Sequence, residues 1–275
     1  MRVHHINCGT MCPPSERAIR GRGGWLTRGE MVCHCLVLET EAGLVLVDTG
    51  LGLEDVREPK RRLGGFFAGF VGAVLREEET AVRRVEALGL DPNDVRHIVV
   101  THLDLDHAGG LSDFPKARVH VYGAELDAAE ARATVKERER YREVQWAHKP
   151  EWARAELAGG DLWFGFDAVR GLRGLPPEIL LVPLPGHTRG HSAIAVDTGA
   201  GWLVHAGDAY FHRGEMDRSG RHCPVGLDVF QRLMAIDDRR RRENQERLRQ
   251  LVLTHEGGVR VFSAHDPDEL AAFGA

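Results

Sequence analysis

Short apolar runs that end in polar residues recur along this chain. Val32–Glu39 alternates apolar and polar positions and predicts a strand, Thr40 to Gly43 is turn-forming, and Leu44–Val47 predicts the return strand before Asp48, Thr49 and Gly50. A second hairpin of the same layout is predicted at Ala193–Val196 and Trp202–His205, running into Ala206, Gly207 and Asp208. Two such hairpins, each ending in a Gly/Asp loop, point to a duplicated half-structure. Val95–Val100, Val119–Tyr122, Ile179–Val182 and Val259–Phe262 are apolar enough to be buried strands. Helical spacing of Ala81, Val82, Val85 and Leu88 predicts an amphipathic helix over Glu77–Leu88, stopped by Gly89. Ala124–Gln145 is charged and helix-forming, and Leu227–Ile236 and Glu243–His255 predict helices that cover a sheet face.

The ends of the predicted strands carry the chemistry. Directly after Val100, residues 101–110 hold His102, Asp104, Asp106 and His107 within six positions, and Gly109 and Gly110 then let the chain turn away. In a persisting extended backbone His102, Asp104 and Asp106 would project to one side. The strand at 179–182 runs into a rigid Pro/Gly loop presenting His187, the strand at 203–206 reaches Asp208, and the strand at 259–262 reaches His265. Imidazoles and carboxylates crowded together repel and lose solvation unless a divalent cation compensates them, so metal binding is the expected role. Gathering ligands from several strand ends is how an α/β scaffold builds a rigid site.

At 275 residues the chain is long enough for a sizeable core, and one domain over 1–275 is expected, with a flap at 59–76 and an insert at 124–175 over the site. The flap is Gly-rich and contains Phe66 and Phe67; it closes over a substrate or packs as a core segment. Trp146, Phe164 and Phe166 in the insert are candidates for the walls of a substrate pocket, with packing as the alternative. A net charge of −5 argues against nucleic-acid binding, and the basic runs Pro59–Arg62 and Arg239–Arg242 are expected to be solvated faces. No window approaches a membrane span and the amino terminus lacks the apolar core of a signal peptide, so a cytoplasmic location is expected. Five cysteines without a CxxC pair fit reduced thiols, with Cys33 and Cys35 as small buried hydrophobes.

With His102, Asp104, Asp106, His107, His187, Asp208 and His265 in this order, and Val47 to Gly50 as a fifth motif, the chain resembles the metallo-β-lactamase-fold hydrolase superfamily. The resemblance implies an α/β (α+β) fold, an αββα sandwich of two mixed β-sheets flanked by helices, with a dinuclear metal site at one edge. It assigns His102, residue 104 and His187 to a first metal, Asp106, His107 and His265 to a second, and Asp208 to a bridge. Asp48 and His191 are expected behind the ligands. Asp104 departs from the superfamily pattern, which has histidine there. The added carboxylate is expected to offset more of the cations' charge and to move the preference of two divalent metal ions from Zn somewhat toward Fe or Mn.

The ending of the first motif, the loop from Gly186 to His191, and Tyr210 after Asp208 resemble the N-acyl homoserine lactonase branch. Tyr210 lies one residue closer to the aspartate than in that branch, so it is either catalytic or a packed tyrosine at a strand end. The implied activity is a metal-dependent hydrolase that uses a metal-bridging hydroxide on an ester, lactone or thioester carbonyl. Asp106 or Asp208 would orient the nucleophile and return its proton. Alternatives are a glutathione-thioester or phosphodiester hydrolase of the same fold, and an iron-dependent oxygenase or redox protein using Asp104. The expected partner is a small-molecule substrate, with no nucleic acid and no membrane; a homodimer is compatible with the sequence.

Overall fold

The central strands of both sheets are buried on both faces in the computed structural model, which describes residues 1–157, 159 and 162–274, apart from the side chains of Phe66 and Ala68. Six strands form a first sheet in the order β1 (Arg2–Met11), β2 (Met31–Thr40), β3 (Gly43–Val47), β4 (Val95–Val99), β5 (Arg118–Tyr122) and β6 (Glu151–Ala155). After a small hairpin of β7 (Leu162–Trp163) and β8 (Phe166–Asp167) come β9 (Ile179–Pro183), β10 (Ser192–Asp197), β11 (Trp202–His205) and β12 (Val259–Phe262). These four make the second sheet, in the order β12-β11-β10-β9. Both sheets are mixed. In each, an antiparallel hairpin is followed by a parallel strand: β2 and β3 with β4, then β10 and β11 with β12.

The pleat explains why these runs are apolar throughout. Leu36, Leu38, Val45, Val47 and Val99 of the first sheet share one cluster with Ile179, Leu181, Ile194, Val196 and Phe262 of the second, which is the layer between the sheets. The alternate residues Cys33, Cys35, Val37, Leu46 and Ile98 face outward and are covered by Ala81, Val82, Val85, Leu126 and Ala128 from helices. On the far side Leu180, Val182, Ala193, Ala195 and Val204 are covered by Leu248 and Leu251 of the helix Asp238–Thr254 and by the β7–β8 hairpin. Helix, sheet, sheet, helix is therefore the layer order. Cys33 and Cys35 are buried, free thiols.

Several elements differ from the sequence-based expectation, each for a local reason. The strand Arg2–Met11 is not marked by clean alternation and forms because it pairs with β2 along its length. The helix expected from Glu77 starts at Ala81, since Thr80 is extended and ends a short 3₁₀ turn over Glu77–Glu79. The charged stretch from Ala124 breaks into helices Gly123–Ala131 and Val135–Arg140, because Thr134 and Glu137 form a capping box that starts a new helix. The segment expected as a flap forms short helices at Pro59–Arg62, Gly64–Phe66 and Phe67–Val71.

Neither basic run is simply a solvated face. Arg62 is buried and donates to Asp55 and the Gln145 side chain, and Arg241 is buried and donates to Asp238 and Gln231. A buried guanidinium is tolerated where its donors meet a carboxylate and amide oxygens. Asp237 caps the helix Asp238–Thr254, so the arginine run forms its first turns. No helix among the described residues is long and apolar enough to cross a membrane.

Candidate metal centre

Parallel pairing of β3 with β4 and of β11 with β12 puts the carboxyl ends of these strands at one edge of the sandwich. Backbone hydrogen bonds stitch that edge: Ser192 N–H to Thr101 O at 2.9 Å, His34 N–H to Ala264 O at 2.8 Å, Ala264 N–H to Gly207 O at 3.1 Å and Thr49 N–H to His107 O at 2.8 Å. Loops from both sheets are thereby held in register. The extended backbone ends at Val99, and a helical turn starts at Leu105 with Asp104 as its N-cap. The helical turn, rather than the alternation of an extended strand, therefore places Asp106.

Two clusters result. His102, Asp104, His187 and Asp208 bring one ligand atom each to within 4.8 Å of one another, and Asp106, His107 and His265 do the same. Asp208 reaches both. Its Oδ2 lies 3.2 Å from His187 Nε2 and 3.8 Å from His102 Nε2, while its Oδ1 lies 3.2 Å from His107 Nε2 and 3.1 Å from His265 Nε2.

The rings are aimed by what holds their other nitrogens. Thr101 Oγ1 lies 2.9 Å from His102 Nδ1, Asp48 Oδ2 lies 2.8 Å from His107 Nδ1, and Val32 O lies 2.8 Å from His265 Nδ1. Asp48 also accepts the Thr101 backbone N–H at 2.7 Å and the Thr101 hydroxyl at 2.8 Å. His191 acts on the backbone: Nδ1 meets Leu184 O at 3.1 Å and Nε2 accepts the Asp208 N–H at 2.9 Å. Gly207, at φ 52°, is required here because a Cβ would sit 2.7 Å from His191 Nε2. Gly109 is needed for a different reason. It does not reverse the chain but continues a 3₁₀ turn, and a Cβ on it would lie 2.1 Å from Asp55 Oδ2.

The electrostatics favour a cation. Burial works against the Asp208 carboxylate, yet His265, His107 and His187 hold it well below the ordinary range. Burial likewise opposes the Asp104 carboxylate, and Arg140 and then His102 outweigh it. Burial opposes a charged His107, but Asp208 and Asp48 raise it well above its ordinary value, whereas burial and Arg140 lower His187 to about 4. Deep in the cluster, His102 Nε2, Asp104 Oδ1 and Asp208 Oδ1 have no hydrogen bond. Buried polar atoms without partners are costly, and the donor set of imidazole nitrogens and carboxylate oxygens suits Zn, Fe or Mn. The residues fit a metal centre.

Above the clusters lies a cavity of about 460 Å³. Its floor is Asp104, Asp106, His187, Asp208 and His265, and its walls are apolar, with Met11, Ile19, Leu63, Phe67, Phe230 and Met234 among them. Of the aromatic candidates, Phe67 lines this cavity, and the side chain of Phe66 lies outside the described residues. Trp146 packs edge-on against Trp152 beside the cluster that covers the outward face of the first sheet, Phe164 is exposed beside His255, and Phe166 packs under Arg247. None of these three lines the cavity, because they lie on the outer sides of the sandwich. Tyr210 is buried in the second sheet's outer cluster and donates its hydroxyl to Glu269 Oε1 at 2.7 Å, so it does not line the cavity either.

Three contributors carry no signal of their own in the sequence. Arg140 and Glu125 sit in a charged helical stretch that reads as solvent-facing, yet both are buried. Glu125 accepts from Leu103 N, Tyr141 OH, Thr188 Oγ1 and Gly190 N at 2.7–3.0 Å, tying the first ligand loop to the second. Thr101 adjoins the motif, but its link to Asp48 exists only in the fold.

Known proteins are similar to this chain to different depths. Residues 28–234 match the model of the metallo-beta-lactamase superfamily. A protein named "Probable metallo-hydrolase" from Mycobacterium tuberculosis is 41% identical over 268 residues, covering 98% of this chain and 81% of the relative. An N-acyl homoserine lactonase from a Bacillus species is 30% identical over 176 residues, 63% of this chain and 62% of the relative. Among solved structures, an N-acyl homoserine lactone hydrolase with N-hexanoyl-L-homoserine at its catalytic metal centre superposes with a TM-score of 0.71 at 23% identity, over 98% of this chain and 95% of that one. A dizinc quorum-quenching lactonase gives 0.62 at 16%, over 96% and 87%. The chain belongs to the metallo-beta-lactamase superfamily, as a metal-dependent hydrolase with the mixed-sheet sandwich of that fold.

Proposed function

We propose that this chain hydrolyses a lactone or ester, with thioesters as a related class, whose acyl part is an apolar chain. The observation that carries this reading is the one-ended polarity of the cavity: a carboxylate and imidazole floor under walls of Met, Phe, Leu and Ile side chains. Such a space accepts an amphiphile with its reactive carbonyl down and its hydrocarbon up. Two of the structural neighbours hold an N-hexanoyl-L-homoserine product, one of them at its catalytic metal centre, which supports a substrate with an acyl chain.

His102, Asp104 and His187 would hold one divalent cation, Asp106, His107 and His265 a second, and Asp208 both. Bound there, such ions supply an activated water and a Lewis acid for the carbonyl oxygen. The protein's own contribution is placement. Asp106 and Asp208 present carboxylate oxygens to the cavity floor, where either can orient the attacking water and carry its proton to the leaving alkoxide. Phe67, Phe230 and Met234 exclude bulk water and hold the acyl chain.

The cations beside the cavity are already engaged, which speaks against glutathione thioesters and phosphodiesters. Lys136 donates to Leu233 O and Ala235 O, and Arg140 is paired with Asp104. The test is a panel of lactones, alkyl esters, thioesters and phosphodiesters, run on protein reconstituted separately with Zn, Mn and Fe. Turnover of lactones or esters that rises with acyl length is expected. Activity confined to phosphodiesters, or to a thiol substrate with oxygen uptake, would overturn the proposal.

A further inference from the structure

Asp104 is the carboxylate that alters the charge of the first cluster, and a buried arginine stands against it. Arg140 Nη1 lies 3.2 Å from Asp104 Oδ2 and 3.3 Å from His187 O, and its Nη2 donates to Met234 O at 2.6 Å. The two carbonyls fix the guanidinium from the side of the His187 loop and from the carboxyl end of the helix Val225–Met234. One turn earlier on the same short helix, Lys136 donates to Leu233 O and Ala235 O, so Val135–Arg140 is docked by two cationic side chains onto that helix end. Arg140 has no freedom to leave. Its own Nε has no hydrogen bond, and the side chain is 3% exposed, so the charge it carries is permanent and poorly solvated.

We infer that Asp104 and Arg140 act as one neutral unit, in which Arg140 is a positioning residue that cancels the added carboxylate and fixes which of its oxygens faces the first metal. Oδ2 is committed to Arg140, with His187 Nε2 at 3.0 Å and His102 Nε2 at 3.4 Å, while Oδ1 is buried with no hydrogen bond. A carboxylate paired with a fixed cation brings to the cluster the same net charge as a neutral imidazole. The shift toward Fe or Mn expected from Asp104 alone therefore does not follow: the total charge matches that of a site with histidine at 104 and no arginine beside it.

This rests on the reading that the clusters hold metal, and its test reads metal occupancy rather than turnover. The full chain is prepared as wild type, Asp104→His, Arg140→Met and the double variant, loaded with zinc or with cobalt, and equilibrated against a competing chelator; bound metal and the cobalt absorption bands are then measured. Asp104→His alone strands a buried guanidinium beside two cations and should weaken the first site at least tenfold. Adding Arg140→Met should recover most of that loss, to within about threefold of wild type. If Asp104→His does not fold, Arg140→Lys takes its place: it keeps the charge but cannot span Asp104 and both carbonyls, and should weaken the first site and shift the cobalt bands. Equal affinity in Asp104→His and the double variant, or an unchanged Arg140→Lys, overturns the inference. Wild-type protein that holds no metal overturns instead the reading on which it rests.

Discussion

Asp48 Oδ2 lies 2.8 Å from His107 Nδ1, joining the end of the first hairpin to the first turn of the ligand helix across 59 positions of sequence. The contact turns His107 Nε2 toward Asp208 and His265. Removing a group that orients a metal-binding imidazole costs on the order of 10–100-fold in metal affinity. Asp48→Ala should show that loss in a chelator competition. Asp48 also holds a backbone φ of 56°, a conformation asparagine accepts better than alanine, so Asp48→Asn should lose less. Equal affinities for wild type and Asp48→Ala would remove Asp48 from the site.

Asp208 offers one oxygen to each cluster, and among the described residues no other carboxylate is paired with imidazoles of both clusters. Asp208→Ala should abolish paired metal binding and reduce turnover by at least about 10³-fold, as expected when an electrostatic element of the reaction is lost. Metal content and steady-state kinetics check this together; full activity in the variant would exclude a bridged site.

Tyr210 spends its hydroxyl on Glu269, away from the cavity. Tyr210→Phe should therefore leave kcat/KM within about threefold and lower stability by about 1 kcal/mol, the worth of one buried hydrogen bond. A hundredfold loss of kcat with normal folding would return the tyrosine to the catalytic group.

The same pair predicts a pH effect. Burial raises Glu269 from its ordinary 4.5 to about 8. The folded state then binds a proton that the unfolded chain has released, so this group's contribution is fully present below about pH 4.5 and is lost as pH rises to about 8. Glu269→Gln should flatten the stability profile across that window and raise the melting temperature relative to wild type above pH 8. An unchanged slope in denaturant titrations between pH 5 and about 8 would show that Glu269 titrates normally.

Glu125 is a structural clamp between the two ligand loops. Its removal leaves the Leu103 and Gly190 N–H groups and the Thr188 and Tyr141 hydroxyls without their acceptor. Glu125→Ala should destabilise the protein by on the order of 3 kcal/mol or more, since each unpaired buried donor costs about 1–3 kcal/mol. Loss of metal should accompany it, measurable as a lower midpoint in urea for the loaded protein. A change below about 0.5 kcal/mol would mean that water replaces the carboxylate.

What the sequence determined by itself is the sandwich and the candidate metal-ligand types. Runs such as Leu36–Val37–Leu38 and Ile179–Val182 are apolar at every position because both faces of each strand are covered, a local pattern legible without coordinates. His102, Asp104, Asp106, His107, His187, Asp208 and His265 follow such runs within a few residues, so their convergence could be expected. The partners of those ligands were decided by tertiary structure alone. Arg140 and Glu125 sit in a stretch whose charges resemble any solvated helix; Glu125 is buried because its helix packs against the Leu103 and Gly190 loops, and Arg140 because the new helix capped by Thr134 docks against the His187 loop. Conversely, Trp146, Phe164 and Phe166 have the composition of a pocket but lie on elements that run away from it. Apolar periodicity is a property of neighbours in sequence, whereas charge pairing and cavity lining depend on distances between elements far apart in the chain, which no local pattern encodes.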